Sequence, residues 1–208
     1  MGEITLFKVE PTTSIQEAFI VSANYLRERF EGIATKSNYF WAAEKDGVAT
    51  VGAIDPFSPL AIQISKDCNC PMLGLMLQEK SFWEYELRSR GHTVDLFSTQ
   101  PDAWDEPHGP EWKGNPSLLA ELWGIPKERI EKYLTQWKKR WCKWPYRNSP
   151  RAYPTDKCPY GSLCQAFDFV TALGGAPPET GPYIADPVEG FKYSQFSLDV
   201  PSPYPNIV

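Results

Sequence analysis

Seven acids and both histidines of the chain fall between Glu84 and Glu111. The run FWEYELR (82–88) alternates strictly, so as a strand it puts Glu84 and Glu86 on one side and Trp83, Tyr85 and Leu87 on the other. Asp95 sits in the next alternating run, HTVDLFS (92–98), where it can lie across from the two glutamates. The loop beyond adds Asp102, Asp105, Glu106, His108 and Glu111. Paired carboxylates do general acid–base work when burial separates their pKa values, and clustered oxygens hold Mg²⁺ or Ca²⁺. The catalytic set on offer is therefore Glu84, Glu86, Asp95 and His108, that of a carboxylate- or metal-dependent hydrolase. The metal set on offer is Asp102, Asp105 and His108. None of these has a defined ligand spacing, so the favoured reading is a solvated sheet face and a solvated loop, with no catalytic residue, metal or cofactor.

Other chemistries find less support. With two histidines, a metal centre has at most two imidazoles and must draw on carboxylates or thiolates. There is no G-x-S-x-G elbow, no G-x-x-x-x-G-K-[ST] phosphate loop and no G-x-G-x-x-G. Tyr160-Gly161-Ser162 lacks the second glycine of a nucleophile turn, and a helix N-cap suffices for Ser162. The five cysteines are Cys68, Cys70, Cys142, Cys158 and Cys164, and neither Cys68-x-Cys70 nor Cys158-x5-Cys164 has zinc-finger spacing. They read as thiols kept reduced, most of them small buried hydrophobes.

A second chemistry-bearing stretch is WKKRWCKWPYRNSPR (137–151), with three of the eight tryptophans. From Lys132 to Thr155 there are seven cations and no acid, which leaves fourteen cations against the twenty-six acids elsewhere, a net of −12. A positive patch on a negative body steers and orients charged partners. Lys138, Lys139, Arg140, Lys143, Trp144, Tyr146, Arg147 and Arg151 are the candidate partner-binding residues. Cations interleaved with aromatics also suit stacking on single-stranded nucleic acid, although an overall charge of −5 repels a polyanion. The plainer reading places Lys138, Lys139 and Arg140 at a helix C-terminus, where cations favour the dipole.

The elements that must position these residues follow from periodicity. ITLFKVE (4–10) alternates as a strand. Ser14 and Glu17 have capping-box spacing, and Ile15, Ala18, Phe19, Ser22, Tyr25, Leu26 and Phe30 recur at helical spacing up to Gly32. YFWAAEK (39–45) and VATVGAI (48–54) flank Asp46-Gly47, the signature of a type I′ hairpin. Ser58-Pro59 opens a short helix that ends before Cys68. PMLGLMLQ (71–78) is nearly all apolar, as in a strand covered on both faces. With 82–88 and 92–98 it predicts an antiparallel meander. Asn115-Pro116 opens a helix closed by Gly124, Pro126 opens another carrying Ile130, Tyr133, Leu134, Trp137 and Trp141, and a third runs over 162–173. FKYSQFSLDV offers one late strand.

Together these predict one α+β domain over residues 1–175. An antiparallel sheet of about five or six strands (1–100) is packed by the N-terminal helix, and a helical layer (115–175) adjoins it. A proline-rich tail, 176–208, packs on the domain. At 208 residues the chain can bury roughly 70% of its unfolded surface, enough for a core without disulfides or metals. No run approaches the roughly 18 apolar residues of a bilayer span. MGEITLFKVEPTTS lacks the apolar core of a secretory signal, and Leu6 stands where a myristoylation pattern wants Ser or Thr. The expected location is the cytoplasm.

The stretch FWEYELRSRGHTVDLFSTQPDAWDE resembles a pattern in uncharacterised bacterial proteins: an aromatic strand, a glycine turn, a V-D-x-[FY]-x-S strand and a P-D-x-[FW] loop. The matching residues are Trp83, Tyr85, Leu87, Gly91, Val94, Asp95, Phe97, Ser98, Pro101, Asp102 and Trp104. NPSLLAELWG and FDFVTALG are similar to the leucine-rich helices that follow it there. The resemblance spans about residues 39–174 and implies no activity. The expected function is a non-enzymatic cytoplasmic protein that binds a protein partner. By analogy with compact acidic α+β proteins that neutralise toxins, that function has an immunity-type form. The alternatives are the hydrolase above and a nucleic-acid contact through 137–151.

Overall fold

A computed structural model of the chain describes residues 2–10, 14–29, 39–52, 58–78, 82–103, 107–136, 161–176 and 189–197. Seven strands form one sheet: β1 (Gly2–Lys8), β2 (Tyr39–Lys45), β3 (Val48–Gly52), β4 (Pro71–Gln78), β5 (Phe82–Ser89), β6 (His92–Ser98) and β7 (Lys192–Ser197). Their order is β6-β5-β4-β1-β3-β2-β7, and every neighbouring pair is antiparallel. The helices are α1 (Ile15–Arg29), α2 (Pro59–Asp67), α3 (Pro116–Trp123) and α4 (Gly161–Ala172). The α+β class holds, with one strand more than the five or six expected. The late strand offered by FKYSQFSLDV is β7, which pairs with β2 from Tyr39↔Ser197 to Glu44↔Lys192.

Alternation within the strands creates two cores. Phe7, Phe40, Ala42, Val51 and Met72 face α1 and α2 and meet Ile15, Phe19, Leu60 and Ile64. Phe19 lies edge-on to Phe7 at 6.3 Å and tilted against Phe40 at 5.4 Å. Leu6, Leu73, Leu75, Trp83, Tyr85 and Phe97 point to the other face and pack on Leu119, Trp123, Phe169 and Val170 of α3 and α4. The helices around 115–174 thus form a second layer over the sheet. Trp123 Nε1 donates to the Leu173 carbonyl at 3.0 Å, tying the end of α3 to the end of α4.

Local signals placed most boundaries. Glu17 N–H donates to Ser14 Oγ at 3.3 Å, Ala61 N–H to Ser58 Oγ at 3.2 Å and Leu118 N–H to Asn115 Oδ1 at 3.1 Å, three N-caps. Asp46 and Gly47 both have positive φ, 49° and 74°, as a type I′ turn requires. Two boundaries differ from expectation. Ser162 lies inside α4, whose first residue is Gly161. Instead of an α-helix after Pro126, residues 127–133 form two 3₁₀ turns, Lys127–Arg129 and Glu131–Tyr133. Ile130 and Tyr133, three apart, are both buried by this tighter winding. The Tyr133 carbonyl, an acceptor that a continuing α-helix would use, takes the side-chain amide of Gln165 from α4.

The segment after β6 returns to the sheet edge. Lys113 bridges Phe97, and Gly114 N–H donates to the Leu96 carbonyl at 2.9 Å. Gly114 has φ 75°, and a Cβ there would lie 3.0 Å from Tyr85 Oη and 3.1 Å from Phe97. Gly114→Ala therefore combines left-handed strain with a forced shift of two core rings, and is expected to cost about 2 kcal/mol. Urea unfolding of the variant checks this, and an unchanged midpoint would refute the close approach.

Candidate functional site

The alternation of β5 sends Glu84, Glu86 and Arg88 to one face of the sheet and Trp83, Tyr85 and Leu87 to the other. The first three share the face that bears α1 and α2, because their β4 partners Met76, Gly74 and Met72 alternate in step with Met72 in that core. This face is not solvated, contrary to the expectation. Glu84 is 1% exposed and Glu86 7%. An ionised carboxylate so placed needs partners, since desolvation otherwise costs several kcal/mol.

The partners come from three directions. His108 Nε2 lies 2.9 Å from Glu84 Oε1. The imidazole stacks on Trp112 with ring centres 3.8 Å apart and planes 7° from parallel. The 3₁₀ turn Pro110–Trp112 folds that indole back over the histidine, and His108 N–H donates to the Pro101 carbonyl at 2.8 Å. Glu86 Oε1 pairs with Arg88 Nη2 at 2.8 Å and accepts from Thr93 Oγ1 on β6. Arg88 Nη1 donates to the Gly91 carbonyl at 3.1 Å, holding the β5–β6 turn. The two glutamates therefore share one buried face, Glu84 met by His108 and Glu86 by Arg88 and Thr93.

Asp95 is not part of that group. It pairs with Leu87 across the strands and so faces the α3 side, a correction forced by the register. There its Oδ2 accepts from Tyr85 Oη at 2.6 Å and from the Asn115 backbone N–H at 2.8 Å. Tyr85 is stacked on Phe169, with centroids 5.8 Å apart, and on Phe97 at 5.5 Å. Burial, then the Asp95 charge and the hydrogen bond to it, push the Tyr85 phenol well above its ordinary value. This linkage fastens the start of α3 to β5 and β6.

Of the metal candidates, Asp102 is exposed in the turn 101–103 and Asp105 lies outside the described residues. Among the described residues no group of three or more His, Cys, Asp and Glu is placed to hold a metal ion. Lys138, Lys139, Arg140, Lys143, Trp144, Tyr146, Arg147 and Arg151 all lie outside the described residues, as do Trp137 and Trp141. Of the basic region, the described part includes Lys132, exposed, with its ammonium 5.0 Å from the Tyr133 ring centre.

The sequence reading missed the Tyr85–Asp95–Asn115 linkage and the His108–Trp112 stack. The pairing of Glu86 with Arg88 was legible, because residues two apart in a strand share a face. The contact between Glu84 and His108 bridges twenty-four residues and had no local signal.

Fold and site define a three-layer α+β protein with helices on both faces of an antiparallel sheet and a buried acidic face at one end. No protein-family model, curated protein or solved structure matches this chain. No described helix is long and apolar enough to cross a membrane.

Proposed function

We propose that this chain is a non-enzymatic cytoplasmic binding protein that works by contact with another protein. The observation that carries the reading is the outer face of α1. Among the described residues four large hydrophobic side chains are exposed, and three of them, Ile20 (42%), Val21 (60%) and Tyr25 (36%), lie within six positions of that helix. Val21 and Tyr25 are one turn apart on one face and Ile20 lies beside Val21 around the helix, so the exposed apolar area is concentrated on this one helix instead of scattered. Its occupant is a protein presenting an apolar surface of its own. The acidic residues offer less to a substrate, since Glu84, Glu86 and Asp95 each already accept from the fold. The finer form of the reading is neutralisation of a protein toxin, in a one-to-one complex that silences the toxin.

Val21→Glu and Ile20→Glu test the patch. Surface substitutions of this kind change stability by about 0.5 kcal/mol or less. Tagged wild-type chain is expected to recover a stoichiometric partner from native lysate, and each variant at least tenfold less, with circular dichroism unchanged. Equal recovery by wild type and variants would remove the patch from the reading. One observation favours the hydrolase alternative: a partly exposed imidazole oriented by a buried carboxylate is an acid–base arrangement. Turnover of an ester or phosphoester panel that is lost in Glu84→Gln would establish it in place of the binding reading.

A further inference from the structure

The two thiols of Cys68 and Cys70 occupy a turn that brings them together. Cys68 caps α2, Asn69 follows at φ 48°, and Cys70 begins the approach to β4. Asn69 N–H donates to the Lys66 carbonyl at 3.1 Å and Cys70 N–H to the Ser65 carbonyl at 3.1 Å, the paired bonds of a Schellman motif. Ser65 Oγ donates to the Cys70 carbonyl at 2.8 Å and closes the turn from the other side. Both side chains meet the same core, Cys70 inside the α1–α2 cluster and Cys68 packed against it, and neither residue is in a disulfide. Cys68 is partly exposed, whereas Cys70 is buried in the α1–α2 core. Residues two apart span at most roughly 7 Å when extended. A disulfide requires Cα atoms ~4.4–6.8 Å apart, and a turned pair lies closer to that range than an extended one.

We propose that Cys68 and Cys70 form a dithiol redox site that exchanges with low-molecular-weight disulfides. Cys68 is the attacking thiol. The hydrogen bond from Cys70 lowers its pKa against the opposing pull of burial and of Asp67, and it is the sulfur a reagent can reach. Cys70 is the resolving thiol. Its hydrogen bond to Cys68, burial and the Cys68 charge hold it protonated. In the first step Cys68 gives its proton to solvent and its thiolate attacks one sulfur of RSSR, expelling RS⁻. The charge beside Cys70 is then gone. Cys70 loses its proton, attacks Cys68 Sγ and expels the second RS⁻. In sum, two protein thiols and one RSSR give one protein disulfide and two RSH, with two electrons passing to the small molecule.

Equilibration of the full-length chain in mixtures of reduced and oxidised glutathione tests this, with acid quench, alkylation and mass spectrometry of the peptide 67–80. The expected result is that both cysteines lose alkylation together as the buffer becomes oxidising, and that the peptide becomes two hydrogens lighter. In Cys70→Ala, Cys68 is expected to hold glutathione as a mixed disulfide under the same conditions. Three outcomes overturn the proposal: alkylation of both thiols at every ratio, glutathione retained on Cys68 of the wild type, or pairing of either residue with Cys142, Cys158 or Cys164. The wild-type measurement decides alone if the variant fails to fold.

Discussion

Replacement of His108 by alanine is expected to lower the free energy of unfolding by about 3 kcal/mol. The substitution takes the imidazole from a carboxylate that is almost fully buried and removes the ring that stacks on Trp112. Breaking a buried pair by deleting one partner costs roughly 3–5 kcal/mol because the remaining charge stays desolvated. His108 is partly exposed, which puts the value at the lower end. Glu84→Gln removes the charge instead and keeps the shape, so the double variant Glu84→Gln/His108→Ala is expected to lose less than the two single losses combined. Urea unfolding of the four proteins measures this coupling. The result bears on function as well. Groups held for catalysis are often a burden on stability, and their removal is neutral or stabilising. A His108→Ala variant as stable as the wild type would count against a structural role and in favour of the acid–base arrangement.

The second large effect concerns Tyr85 and Asp95. Asp95→Ala is expected to cost about 3 kcal/mol, because it strands a buried phenolic O–H and an Asn115 N–H that share one acceptor. Tyr85→Phe is milder at neutral pH, about 1.5 kcal/mol, since Asp95 keeps the Asn115 bond. The two also differ in alkali. The folded-state value of Tyr85 is raised above the unfolded one of about 10. The native state therefore keeps its proton where the unfolded chain has released it. The stabilisation is complete below about pH 10 and is lost as the pH rises from there toward the native value. Stability of the wild type is thus expected to fall more steeply than that of Tyr85→Phe above pH 10, while lysines and the other tyrosines affect both alike. Parallel curves would mean that Tyr85 titrates in the folded protein as it does in the unfolded chain.

What the sequence by itself determined is local. The β2–β3 hairpin followed from Asp46-Gly47, whose positive φ values few other residue pairs adopt without strain. The beginnings of α1, α2 and α3 followed from Ser14, Ser58 and Asn115, whose side chains each satisfy the N–H group three residues on. The two faces of β5 followed from a period of two. Each of these depends on interactions within a few residues, so the sequence carries them directly.

Tertiary structure decided the rest. Sheet order placed β1 between β3 and β4, and this made a two-faced core out of strands whose spacing alone is silent on their neighbours. The register of β6 against β5 sent Asp95 to Tyr85 and away from Glu84, and the return of the 107–114 segment brought His108 to a carboxylate twenty-four residues earlier. A solvated face became a buried one for the same reason. Burial belongs to what packs over a residue, and that is set by chain crossings no local period encodes. At its smallest scale the same holds at 127–133, which wind as two 3₁₀ turns instead of an α-helix and meet the amide of Gln165, thirty-two residues on from Tyr133, at the Tyr133 carbonyl.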